Sequence, residues 1–63
     1  MSLSDRLKSR RLARRLTQQA LATAAGTSRQ TIARIEGGRL WPSESMLYRI
    51  ADALKCSPGK LID

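Results

Sequence analysis

The sequence predicts an all-α fold, a compact domain of five short helices, and three observations carry that expectation. Apolar residues recur every three to four positions, most cleanly at Leu47, Ile50, Ala51 and Leu54. Short hydroxyl residues stand where helices would begin, at Ser2, Thr17, Ser28, Ser43 and Ser57, and glycines stand where two would end. No stretch alternates with the two-residue period of a strand.

The first helix is expected from Leu3 to about Arg14, with Ser2 and Asp5 forming a capping box. Leu3 and Leu7 point inward, Leu12 and Leu16 help to close the following turn, and Arg6, Lys8, Arg10, Arg14 and Arg15 make a solvated basic face. Arg11 stands on the inward side one turn beyond Leu7, where a charge needs a partner. Thr17 caps a second helix from Gln18, with Leu21, Ala22 and Ala25 inward. Gly26 ends it, since a residue without Cβ takes the left-handed conformation at no steric cost. Ser28 caps a third helix whose inward residues are Ile32 and Ile35. Gly37 and Gly38 end that helix before a loop through Arg39, Leu40, Trp41 and Pro42. Ser43 caps the fourth, with Glu44 in its first turn where negative charge suits the helix dipole. Lys55 and Cys56 connect to a last short helix begun by Ser57 and Pro58 and anchored by Leu61 and Ile62.

Composition narrows the function. The 63 residues are expected to form one domain, 1–63, near the lower size limit for folding without disulfides or metals. Cys56 is the single cysteine, which excludes an internal disulfide, and it reads as a small buried thiol. With no histidine and few carboxylates, an enzyme is not expected, nor is a cofactor or a metal. The formal charge of +7 and pI near 11.2 call for a polyanionic partner, nucleic acid first; a solubility device and a membrane-surface patch are the alternatives on charge alone. No apolar run approaches the roughly 20 residues that span a bilayer and no signal peptide is visible, so the expected location is the cytoplasm.

The stretch Thr17 to Glu36 is the informative one. It reads as two helices joined by a tight turn, the second with an apolar back and an outward face of Arg29, Gln30, Ala33 and Arg34. Arg and Gln carry the paired hydrogen-bonding atoms that match guanine and adenine edges in a major groove.

On these residues, the chain resembles the Xre family of helix-turn-helix transcriptional regulators, which includes the lambdoid phage repressors and Cro proteins. The resemblance is carried by Leu16, Thr17, Gln18, Leu21, Ala22, Gly26, Ser28 through Ile32, Ile35, Glu36 and Gly38, then by Pro42, Ser43, Leu47, Ile50, Ala51, Ala53 and Leu54, without a gap. It implies a lambda-repressor-like DNA-binding domain in which the second and third helices form the helix-turn-helix. It implies base contacts from Arg29, Gln30, Ala33 and Arg34, and a phosphate grip and buttressing role for Gln18. It also implies a structural ion pair between Arg11 and Glu36. Thr17, Ser28 and Arg39 complete the expected phosphate-contacting set. By analogy with relatives, Met46, Cys56, Pro58 and Lys60 are the candidate dimer interface.

The chain departs from the family at two places. Arg15 stands where many relatives have glycine, so the first helix either ends on a strained residue or turns differently. Leu40 and Trp41 occupy a loop that usually carries small polar residues, with Trp41 read as a lid over the core or as a contact to DNA sugar or a partner subunit. The expected activity is sequence-specific binding of double-stranded DNA, as a regulator, with repression first. The protein would act as a homodimer, one that forms on DNA alone being compatible with so small an interface. Two alternatives stay open: an antitoxin that neutralises a protein partner with the same fold, and a DNA-binding domain of a longer phage-type repressor.

Overall fold

A computed structural model describes residues 2–62, so the expected domain of 1–63 runs one residue beyond them at each end. The chain forms α1 (Leu3–Ala13), α2 (Gln18–Ala25), α3 (Arg29–Glu36), α4 (Glu44–Ala53) and α5 (Gly59–Ile62), with no strand among the described residues. None of these helices is long and apolar enough to cross a membrane.

The starts follow the hydroxyl caps. The side chains of Ser2, Thr17, Ser28 and Ser43 accept the backbone N–H three positions on, at Asp5, Ala20, Thr31 and Met46, which satisfies one of the free donors of each first turn. At α1 the box closes differently from expectation. Asp5 is one methylene shorter than Glu, and its carboxylate accepts the Ser2 hydroxyl at 3.0 Å.

The ends share one motif. In α1, α3 and α4 the residue after the cap turns left-handed, in α2 the cap itself does, and in all four two backbone N–H groups reach back into the last turn. Leu16 donates to Arg11 and Arg15 to Leu12; Thr27 to Ala22 and Gly26 to Thr23; Arg39 to Arg34 and Gly38 to Ile35; Cys56 to Ala51 and Lys55 to Asp52. The left-handed seats are therefore Arg15 (φ 58°), Gly26 (φ 70°), Gly38 (φ 74°) and Lys55 (φ 57°). For Arg15 the structure selects the strained alternative: the turn is kept and a residue with a Cβ occupies it.

Twelve apolar side chains make one core, with Leu7, Leu21, Ile32, Ile35, Ile50 and Leu61 its largest fully buried members. α2 packs between α3 and α4, and α1 lies against α3 on one side and α5 on the other. Small Ala22 and Ala51, both almost fully buried, allow close helix approach. Pro42 is buried just ahead of the Ser43 cap, and so the loop after α3 is tied down before α4 begins.

Two apolar expectations fail, and for Trp41 the lid reading does. Leu12 is 55% exposed because it sits a third of a turn off the inward line of Leu7 and Arg11; only Leu16 of that pair packs on the core. Ile62 is 48% exposed, since a four-residue helix turns one side inward and Leu61 takes it. Trp41 is 67% exposed and seals nothing; it forms one wall of an open cleft with Leu3, Ile35, Gly38 and Leu40.

The connection between α1 and α4 was not legible beforehand. The Arg14 Nε–H donates to the Leu54 carbonyl at 2.9 Å, so the cap residue of one helix saturates the cap residue of another. Both helices end here, and Arg14, Arg15 and Lys55 bring positive charge to two negative dipole ends.

Candidate nucleic-acid interface

The α2–α3 turn fixes the geometry of the interface. Gly26 reverses the chain after α2, Ser28 opens α3 two residues later, and the Ser28 and Thr31 hydroxyls lie 2.9 Å apart across the first turn. Ile32 and Ile35 are buried to within 1% of full enclosure. A helix that commits those two positions inward turns Arg29, Gln30 and Arg34 out, and all three are exposed while Ala33 is half-buried between them.

The end of α3 is held by a polar network. Glu36 accepts Arg11 Nε at 2.6 Å on Oε2, and Arg11 Nη2 at 3.1 Å and Gln18 Nε2 at 3.2 Å on Oε1. Arg11 Nη1 donates to the Leu16 carbonyl at 2.7 Å. The two charged side chains keep 9% and 5% of their surface, so this is an ion pair shielded from water, with further hydrogen bonds from Gln18 and to the Leu16 carbonyl. Arg11 comes from α1, Gln18 from the first position of α2 and Glu36 from the last of α3. Three helices thus meet at one carboxylate, and the angle of α3 to α1 and α2 is set by directional bonds as well as by packing.

Thr17, Ser28 and Arg39 are exposed at the edges of α2 and α3. The Arg39 N–H donates to the Arg34 carbonyl at 2.9 Å, which fixes where the loop leaves α3 and anchors the Arg39 backbone to the end of that helix. Gln18 is half-buried, with one amide N–H spent on Glu36. Arg29, Gln30, Arg34, Thr17, Ser28, Gln18 and Arg39 therefore all belong to the α2–α3 unit and the loop that leaves it. Met46, Cys56, Pro58 and Lys60 lie elsewhere: Met46 and Cys56 pack partly against the core, Pro58 is half-buried and Lys60 is exposed on α5.

Arg11–Glu36 is the one ion pair among the described residues, so the arginines of the outward α3 face carry uncompensated charge. Sequence reasoning missed two supporting contacts. Arg11 also closes the α1–α2 turn through the Leu16 carbonyl, and Thr31 backs the Ser28 cap. Only a carbonyl acceptor and a second hydroxyl are involved, and neither has a pattern of its own.

The chain is similar to known proteins over nearly its whole length. The pattern of the Helix-turn-helix family matches residues 7–61. The P22 c2 repressor, in a crystal structure with synthetic operator 9T in the presence of Tl+, superposes with a TM-score of 0.96 at 28% identity, covering 100% of this chain and 96% of that one. The solution structure of the P22 c2 repressor DNA-binding domain gives 0.94 at 30% identity, over 97% and 80% of the two chains. The restriction-modification controller protein C.AhdI from Aeromonas hydrophila gives 0.92 at 30% identity, over 95% and 91%.

Proposed function

The chain belongs to the Helix-turn-helix family, in the Xre/Cro/CI type of DNA-binding transcriptional regulators, and from that premise we propose that it reads double-stranded operator DNA with α3. The observation that carries this reading is the pairing of an outward Arg29, Gln30 and Arg34 face with a helix end clamped by Arg11, Gln18 and Glu36. Base readout needs donors held in fixed directions. An α3 locked to two neighbours supplies that.

Residues 1–63 act as one DNA-binding domain in the cytoplasm. Arg29 and Arg34 offer forks for guanine, Gln30 a carboxamide for adenine, and Ala33 a methyl for the thymine methyl; each good bidentate contact contributes roughly 1–3 kcal/mol of discrimination. Thr17, Ser28, Arg39 and the second N–H of Gln18 hold backbone phosphates and set the register. Two copies bind a roughly palindromic operator with their α3 helices about 34 Å apart, and the outcome at a promoter is repression. Met46, Cys56, Pro58 and Lys60 make the pairing patch. Because Met46 and Cys56 are partly spent on the core, that patch is small and pairing on DNA is favoured over a stable free dimer.

Selection of bound duplexes from a random pool, with stoichiometry measured on the winner, tests this. A symmetric motif bound by two chains is the expected result. Arg29→Ala should then relax one base pair in each half-site, and Arg39→Ala should weaken all sequences alike and flatten the salt dependence. An unselective pool, or an Arg29→Ala motif identical to the original, overturns the assignment.

A further inference from the structure

A second cluster of positive charge lies away from α3. Arg6 and Arg10 stand one turn apart on α1, and with Lys60 of α5 they line a cleft of about 410 Å³ whose other walls are Ser9 and Ala13. An adjoining hollow is lined by the same three cations with Ser57 and Gly59. Among the described residues no acidic side chain lines either, and none of the three cations makes an ion pair.

One atom shows that the cleft is more than a solvated rim. Arg6 Nε is enclosed by the protein and has no hydrogen-bond partner. Backbone carbonyls take up comparable groups elsewhere in this molecule: Arg11 Nη1 finds Leu16 and Arg14 Nε finds Leu54. A cationic N–H taken out of water without an acceptor is unfavourable, and two further cations in the same cleft add repulsion. An anion seated between the three cations offsets their mutual repulsion.

We propose that the α1–α5 flank is an anion site, separate from the α3 face, which takes a phosphate-bearing ligand between Arg6, Arg10 and Lys60. The chemistry favours phosphate. Its oxygens match two guanidinium forks and an ammonium, the Ser57 hydroxyl is a further donor, and the volume lies in the range of small-molecule pockets, roughly 300–1,000 Å³. The site does not overlap the clamp beneath α3. With about 100° per residue along α1, Arg10 and Arg6 lie about 100° and 140° around the helix from Arg11, which faces Glu36.

The test is an amide-resolved NMR titration of the full chain with inorganic pyrophosphate at constant ionic strength. Saturable shifts at Arg6, Arg10, Ser57 and Lys60 are expected, and Arg10→Gln should weaken them about tenfold, the value of one charge-assisted contact, with the thermal midpoint retained. Arg10 lies outside the proposed pairing patch, with which the site shares Lys60. Shifts that do not saturate, that are as large at Arg29, Arg34 and Arg39, or that survive Arg10→Gln overturn the site. A random-sequence duplex separates the two sources of phosphate. If Arg10→Gln weakens duplex binding and pyrophosphate competes, the ligand is a DNA backbone; if duplex and pyrophosphate bind together, it is a small phosphorylated molecule. The α3 assignment stands or falls separately, through Arg29→Ala.

Discussion

The four long helices end in the same hydrogen-bonded turn, yet the ends of α2 and α3 carry glycine in the left-handed seat while those of α1 and α4 carry Arg15 and Lys55. Space does not explain the difference. A Cβ at Gly26 would meet only Arg49 Nη1 at an ordinary 3.6 Å, and one at Gly38 would meet nothing within 4 Å. The difference lies in what each end must do. The turns after α2 and α3 aim the proposed reading helix and its loop, where an unstrained backbone keeps side-chain directions fixed. The ends of α1 and α4 converge, and there Arg15 and Lys55 bring charge that offsets part of the left-handed strain, beside Arg14, which saturates the Leu54 carbonyl. One motif thus serves aiming in one region and electrostatic closure in the other.

The strongest way to break the comparison is to cut the link between the regions. Glu36→Ala leaves Arg11 buried without an anionic partner and should cost on the order of 3–5 kcal/mol in urea unfolding, most of what so small a domain has. A loss below about 1 kcal/mol would mean that packing alone holds α3. Next comes the aiming region itself: Gly26→Ala and Gly38→Ala should each cost about 1–2 kcal/mol, the price of a Cβ in the left-handed region. No measurable cost at either would erase the distinction drawn above. In the closure region, Arg14→Ala should cost about 0.5–1.5 kcal/mol by freeing the Leu54 carbonyl. Smallest of all, Arg15→Gly should raise the stability slightly, by about 0.5 kcal/mol in urea unfolding, because relief of strain exceeds the lost dipole term. A fall in stability there would show that the Arg15 charge outweighs its backbone strain.

Much of the fold was legible because its signals are local. Ser2, Thr17, Ser28 and Ser43 act on their own first turns, Gly26 and Gly38 on their own last turns, and Leu47, Ile50, Ala51 and Leu54 declare one helix face without reference to the rest. The exposure of Arg29, Gln30 and Arg34 followed from the burial of Ile32 and Ile35. What stayed hidden depends on how distant helices meet. Arg14 and Leu54 are 40 positions apart, and the acceptor is a carbonyl that every residue has. Leu12, Trp41 and Ile62 misled for the related reason that apolarity marks a residue as able to be buried, while only the assembled neighbours decide whether it is. The cleft of Arg6, Arg10 and Lys60 was invisible as well, because its members lie at opposite ends of the chain.

The Arg11–Glu36 pair also has a bearing on time. Its partners are 25 positions apart, whereas the caps and turns around them close within five. A helical domain rich in local contacts folds fast, and a bidentate contact of that span requires α1, α2 and α3 to be assembled first. The pair then acts as a latch set after the rate-limiting step. Its loss in Glu36→Ala should appear almost wholly as faster unfolding, with the folding rate nearly unchanged, and stopped-flow measurement of both arms reads that partition directly. The same carboxylate that orients α3 would thereby set how long the reading surface survives between one opening of the domain and the next.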